Sequence, residues 1–204
     1  MFLFSQVLFD WTKRKDPKEK ERRNQITLLL PQSTVFAREN LMFQFREKNN
    51  SGVGQRGFFG MAILDAKHEP NVGVLWRSAF VFGASFMATV GEKRYKTNRA
   101  DTTQSHRHLP LFHFSDVNDL RSHLPKGCQL IGVELCDEAS DLQKFVHPER
   151  ALYLLGSEDH GIPYHVLSLL DRVIKINTSL NVSLNVGVAG SIILYDRILK
   201  QERT

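Results

Sequence analysis

The stretch FFGMAILDAKHEPNVGVLWRSAFVFGA, residues 58–84, decides the fold. Phe58 to Leu64 is a short apolar run of β-prone residues, the pattern of a buried strand. Pro70 disfavours helix in the residue before it, Asn71 is a good N-cap and Gly83 a good terminator, so a helix is predicted over Val72 to Phe82. On that helix Val72, Leu75, Trp76 and Ala79 share a side that can pack on a sheet, while Arg77 points elsewhere. A helix that begins where a strand has just finished places Asn71 and Arg77 near the carboxyl edge of a sheet, where open α/β folds bind ligands. Taken alone, the segment would leave Arg77 a surface arginine and Asn71 a cap.

The same alternation continues in the C-terminal direction. Strands are predicted at Ser85 to Val90, Gln129 to Leu135, Leu152 to Leu155 and Arg172 to Ile176, and helices at Ser115 to His123, Tyr164 to Leu170 and Leu184 to Lys200. This is an α/β pattern, a mostly parallel sheet with helices covering both faces. In the other direction the character changes. Residues 1–55 carry the clusters Lys13-Arg14-Lys15 and Lys18 to Arg23 and form a basic N-terminal extension, with residues 56–204 as the main domain. Mixed charges of this kind suit a solvated helix face or contact with RNA. Between the two lies a G-x-G-x-x-G from Gly52 to Gly57. A dinucleotide fingerprint must follow a strand and open a helix, whereas here a polar stretch precedes and a strand follows, so the match is set aside.

Composition narrows the function classes. The 204 residues include 42% hydrophobic and 24% charged, enough for one substantial core. The net charge of +5 and a pI of about 9.3 favour polyanions without choosing one. The opening residues lack a charged n-region and a cleavage site, and no apolar run approaches the length of a membrane helix, so a soluble, cytoplasmic protein is expected. Cys128 and Cys136 fit neither a C-x-x-C nor a zinc half-site, which leaves no metal and a reduced compartment as the expectation.

Two further segments carry chemistry. In Leu152-Tyr153-Leu154-Leu155-Gly156-Ser157-Glu158-Asp159-His160-Gly161-Ile162-Pro163 a buried strand ends at Gly156, and a tight glycine loop lets backbone groups approach a ligand. Glu158, Asp159 and His160 suit acid/base work, or solvated and capping roles. After Ile176 a polar loop leads to Ser183, a natural N-cap, and to a helix apolar on nearly every side until Asp196 and Arg197. Such a helix must be covered on two faces. Gly187 and Gly190 each weaken it by about 1 kcal/mol relative to alanine, which suggests a close neighbouring backbone, in the core or at a dimer interface.

In this order the segments resemble the three signature motifs of the SpoU/TrmH class of SPOUT methyltransferases. The correspondence is N-x-G-x-x-x-R-x-A-x-x-F-G at Asn71 to Gly83, L-G-S-E-x-x-G at Leu155 to Gly161, and S-L-N-V-x-V-A at Ser183 to Ala189, within about residues 57–200. The resemblance implies an α/β fold with a C-terminal deep trefoil knot, a rare exception to unthreaded topology. It implies an S-adenosylmethionine-dependent transfer of methyl to a ribose 2′-hydroxyl of tRNA or rRNA by a homodimer whose RNA site spans two subunits. The methyl donor would be held by backbone groups near Leu155, Gly156, Ile176 and Leu184, with Arg77 catalytic and Asn71, Glu158, Ser183 and Asn185 framing it. A free guanidinium is a very poor base, so electrostatic assistance and phosphate positioning are expected of Arg77. The chain departs from the class after Ile176, where Asn177-Thr178 replaces proline and a hydrophobic residue in a loop about one residue shorter.

Two competitors remain on sequence alone. A noncatalytic RNA-binding protein of the same fold would not need the donor, and the presence of Asn71, Arg77, Glu158, Ser183 and Asn185 argues against it. A metal-dependent hydrolase would use Asp101, His106, His108 and His113, a weak H-x-H pattern that metal analysis would decide.

Overall fold

Phe58–Leu64 forms β1, and its side chains divide between two cores by the twofold alternation of a strand. Phe59, Met61 and Ile63 enter one apolar cluster, while Ala62 and Leu64 enter the other. The structure, a computed structural model, describes residues 57–95, 107–180 and 182–201. The elements that follow are α1 (Glu69–Val81), β2 (Phe86–Val90), β3 (Leu111–Phe114), α2 (Val117–Ser122), β4 (Gln129–Val133), β5 (Ser140–Asp141), β6 (Arg150–Leu155), α3 (Tyr164–Leu167), β7 (Arg172–Lys175) and α4 (Val186–Gln201).

The strands make one seven-stranded sheet in the order β3-β2-β1-β6-β4-β7-β5. Every neighbouring pair is parallel, with β1 joined to β2 from Gly60↔Phe86 to Leu64↔Val90 and to β6 from Phe58↔Arg150 to Ile63↔Leu155. Parallel strands have both faces covered, which explains near-continuous apolar runs in place of alternation. Val72, Leu75, Trp76 and Ala79 of α1 join Val186, Ala189, Ile193 and Leu194 of α4 over one face. Val117 and Leu120 of α2 and Val166 of α3 cover the other. The expected α/β architecture is therefore present, and so is the expected apolar side of the first helix.

Local signals were less reliable at element ends. Helix α1 starts at Glu69 behind His68, so Asn71 does not cap it. A proline in the first turn has no N–H to lose, and Pro70 therefore sits inside the helix instead of before it. Ser183 does not cap α4 either: Asn185 does, its Oδ1 accepting from Gly187 N at 2.9 Å and Val188 N at 3.4 Å. The helix accordingly opens at Val186 and not Leu184, while β4 stops at Val133 and β7 at Lys175, short of Leu135 and Ile176. The sequence reading missed β3, four residues in a polar surrounding, and β5, two residues that exist only as a rung beside β7.

Close approach explains the α4 glycines, although the neighbour is a side chain and not a backbone. A Cβ on Gly190 would lie 2.2 Å from Leu75 Cδ1 and one on Gly187 2.8 Å from Val74 Cγ1, so the glycines seat α1 within the same chain. The pair is joined further by the Ser78 and Ser191 hydroxyls at 2.8 Å.

Residues 1–56, with the basic clusters and all of the glycine pattern but Gly57, lie outside the described residues, as do Asp101 and His106. Gly57 runs directly into β1, as that reading required. His108 stacks on Phe80 at 5.1 Å between centroids, and His113 Nδ1 meets Thr89 Oγ1 at 3.1 Å. Burial pushes the Cys128 thiol up to about 12, so it stays protonated. Among the described residues, no helix is long and apolar enough to cross a membrane.

Candidate active site

Strand β6 ends at Leu155, and the chain then folds back on itself. Ser157 N donates to Gly161 O at 3.1 Å and Gly161 N to Ser157 O at 3.0 Å, closing a turn with Glu158, Asp159 and His160 at its tip. Only glycine fits at position 156, because a Cβ there would lie 2.1 Å from the carbonyl carbon of Gly161. The base of the turn rests on Glu134, just past β4. Its Oε2 accepts from Ile162 N at 2.6 Å and its Oε1 from Leu135 N at 2.9 Å. The sequence reading missed Glu134. Its only signal there was a lone carboxylate after an apolar strand, a position indistinguishable from a solvated strand end.

The tip of the turn is tied to the start of α1. Glu158 accepts from Lys67 N at 2.9 Å, His68 N at 3.3 Å and Asn71 Nδ2 at 2.7 Å. Asn71 Oδ1 in turn accepts from Asn185 Nδ2 at 3.0 Å. A carboxylate only accepts and a backbone N–H only donates, so both amides are oriented without ambiguity and the chain Glu158–Asn71–Asn185–α4 is polar from end to end. Burial pushes the Glu158 carboxyl up, but the donors from Lys67, Asn71 and His68 outweigh it and hold the group below its ordinary value. The Lys67 ammonium pairs with Asp159 at 2.5 Å, and that hydrogen bond holds the Asp159 carboxyl below its ordinary value.

Beside this frame lies a cleft of about 460 Å³, the size of a small-molecule site. Its walls include Leu155, Gly156, Ile176 and Leu184, the residues expected to hold a cofactor, together with Glu134, Glu158, Ser183 and Asn185. Val133, Val186 and Ala189 add apolar surface beside the glycines Gly156 and Gly161. Such a surface fits an adenosine better than a metal, and among the described residues no three potential ligands gather. Asn71 touches the site through Glu158 and Asn185. Arg77 does not line the cleft; it stands exposed on α1.

Fold and site together define a parallel α/β protein with a ligand cleft where the loop after β6 and the segment before α4 meet, built on three motifs distant in sequence. The chain belongs to the SpoU rRNA Methylase family, whose model matches residues 61–195. It is 32% identical over 138 residues to the mouse tRNA (guanosine(18)-2′-O)-methyltransferase TARBP1, a match of 64% of this chain and 9% of that protein. It is 28% identical over 137 residues to the tRNA (guanosine(18)-2′-O)-methyltransferase of Escherichia coli K12, 65% of this chain and 60% of that one. The chain thus spans less than two thirds of either relative. Its fold is shared with the AdoMet-bound rRNA methyltransferase from Sinorhizobium meliloti, at a TM-score of 0.63 and 22% identity, covering 70% of this chain and 56% of that one.

Proposed function

We propose that the chain transfers a methyl group from S-adenosylmethionine to a ribose 2′-hydroxyl of tRNA or rRNA. The observation that carries this is the convergence of Gly156, Ile176 and Leu184 on one cleft beside the Glu158–Asn71–Asn185 frame. Two relatives are named as tRNA ribose methyltransferases, and a neighbour of like fold is described with AdoMet bound, which supports the donor and the substrate class. When bound, the donor supplies an activated methyl on a sulfonium. The chain's task is to hold an adenosine against Leu155, Ile176 and Leu184, to exclude water with Val186 and Ala189, and to keep the ribose aligned. Glu158 and Asn185 provide polar groups at the rim that Asn71 keeps in register, and Ser183 lines the cleft beside them.

Arg77 is assigned the neighbouring phosphate and the charge that grows on the 2′-oxygen as its proton leaves. Within one chain it lies outside the cleft wall, which favours a site completed by a second copy. Val74 and Val81 on α1 and Val188 and Tyr195 on α4 are 41%, 63%, 48% and 54% exposed, an apolar outer face around Arg77. A homodimer through this face would carry Arg77 to the partner's cleft. We further assign residues 56–204 as the catalytic domain, residues 1–55 as a basic extension, a deep trefoil knot in the C-terminal stretch, and a cytoplasmic location. In support of the knot, β7 lies inside the sheet between β4 and β5, and the segments after β6 and β7 line one cleft.

The test is a titration of S-adenosylmethionine by calorimetry with methyl transfer to RNA from cells lacking the gene. Arg77→Ala is expected to retain donor affinity and to lose transfer by at least about a hundredfold. Donor binding without transfer by the wild-type chain would point to a noncatalytic protein, and no donor binding would overturn the proposal.

A further inference from the structure

A second cleft, of about 640 Å³, adjoins the first and shares with it Ser157, Asp159, His160 and Gly161 of the turn after β6. It opens where β1 and β2 end, at Leu64, Val90 and Gly91. One wall is the ring of Tyr95. This side chain is half-buried and its hydroxyl donates to the Ala66 carbonyl, so the ring is held in one orientation. Burial, and then the Glu158, Glu69 and Asp65 carboxylates, push its ionisation up.

The charge of the lining is unlike that of the whole chain. Asp65, Glu92 and Asp116 stand there against Lys93, with His160 and His165 beside them, while Asp159 and Lys67 neutralise each other. Carboxylates repel phosphate and accept from amino groups. A flat, fixed ring offers stacking to any base. The cleft therefore suits the base of a nucleotide and not its phosphate.

We propose that this second cleft seats the base of the nucleotide whose ribose is methylated, stacked on Tyr95, and that it favours a base bearing an exocyclic amine. The proposal rests on the first cleft being the donor site, since the shared turn would place base and donor on either side of the ribose.

The experiment is an NMR titration of the isotope-labelled full chain with GMP, AMP, CMP, UMP and ribose 5-phosphate, with and without S-adenosylhomocysteine. Saturable shifts at Gly91, Tyr95 and Asn118 are expected with the first three nucleotides, weaker ones with UMP and none with ribose 5-phosphate. Tyr95→Ala is expected to weaken binding about fivefold or more, as loss of one stacked base does, and Tyr95→Phe to keep it. Glu92→Gln, at an exposed position, should reduce the preference over UMP. Equal shifts with ribose 5-phosphate, or binding untouched by Tyr95→Ala in a protein with an otherwise native spectrum, would overturn the inference. S-adenosylhomocysteine that shifts Gly156 and Ile176 while no nucleotide binds also overturns it and leaves the donor site standing. Failure of S-adenosylhomocysteine to shift Gly156 or Ile176 refutes the donor site and, with it, the inference that rests on it.

Discussion

Glu158 does two jobs with one carboxylate: it satisfies the N–H groups of Lys67 and His68 ahead of α1 and it orients Asn71. An amide at this position can accept from one of these donors but must turn its own NH2 toward another. Glu158→Gln is therefore expected to lower single-turnover methyl transfer by about tenfold or more, the loss of a charge-assisted hydrogen bond or two. The folded pKa lies below the ordinary 4.5, so the unfolded chain binds the extra proton in that window. The stability this carboxylate contributes is complete above the ordinary value and lost as pH falls through the folded one. Thermal melting of the wild type against Glu158→Gln should thus differ by a constant amount above pH 4.5 and converge in more acid solution. A gap that widens on acidification would contradict the assignment.

At the level of elements, α1 and α4 are neighbours because two glycines let them be. Gly190→Ala gains helix propensity but drives a methyl toward Leu75, which is fully buried and cannot swing out. Overpacking of this kind costs about 1–3 kcal/mol, more than the roughly 1 kcal/mol of propensity returned. Urea unfolding should show a net loss for Gly190→Ala, partly recovered when Leu75→Val is added, since the two sites touch.

The other end of α4 is fastened by a buried polar network. Arg197, 1% exposed, donates to Tyr153 Oη at 2.9 Å and Pro148 O at 2.8 Å, and His147 bridges Tyr153 Oη at 2.6 Å and Asp196 Oδ2 at 2.9 Å. Because Asp196 must accept, His147 carries its proton on Nε2, and Nδ1 accepts from the tyrosine. Burial first, with Arg197 and Lys200 adding to it against Asp196, lowers the His147 pKa from 6.5. The unfolded chain then binds more protons below 6.5, so melting temperature should fall as pH drops through that value. His147→Gln should flatten that slope between pH 7 and 5.5, roughly the histidine range.

For the molecule as a whole, the exposed apolar face around Arg77 leads to a prediction about assembly. If each site joins one chain's cleft to its partner's Arg77, then the Arg77→Ala and Glu158→Gln proteins, each strongly impaired alone, complement one another when mixed. Random exchange makes half of the dimers mixed with one sound site in each, so about a quarter of wild-type activity should return. No recovery after verified subunit exchange would place Arg77 in the site of its own chain.

The α/β class and the motif residues were legible in the sequence because they rest on local facts. An apolar run long enough for a strand, a helix with one apolar side, and glycines at Gly156 and Gly83 are visible to anyone reading along the chain. The resemblance of the three motifs also points to seven residues that line the cleft, Leu155, Gly156, Glu158, Ile176, Ser183, Leu184 and Asn185, though Arg77 lies outside it and Glu134 carried no signal. What could not be read was any relation decided by distant partners. Asn71 looked like a cap because its neighbours in sequence permit one; it became the link between Glu158 and Asn185 only because β1, β6 and α4 meet in space, 87 and 114 residues apart along the chain. Glu134 under the turn, the two-residue β5 and the second cleft have the same origin. Hydrogen bonds and cavities between remote segments are properties of packing, and no local preference encodes them.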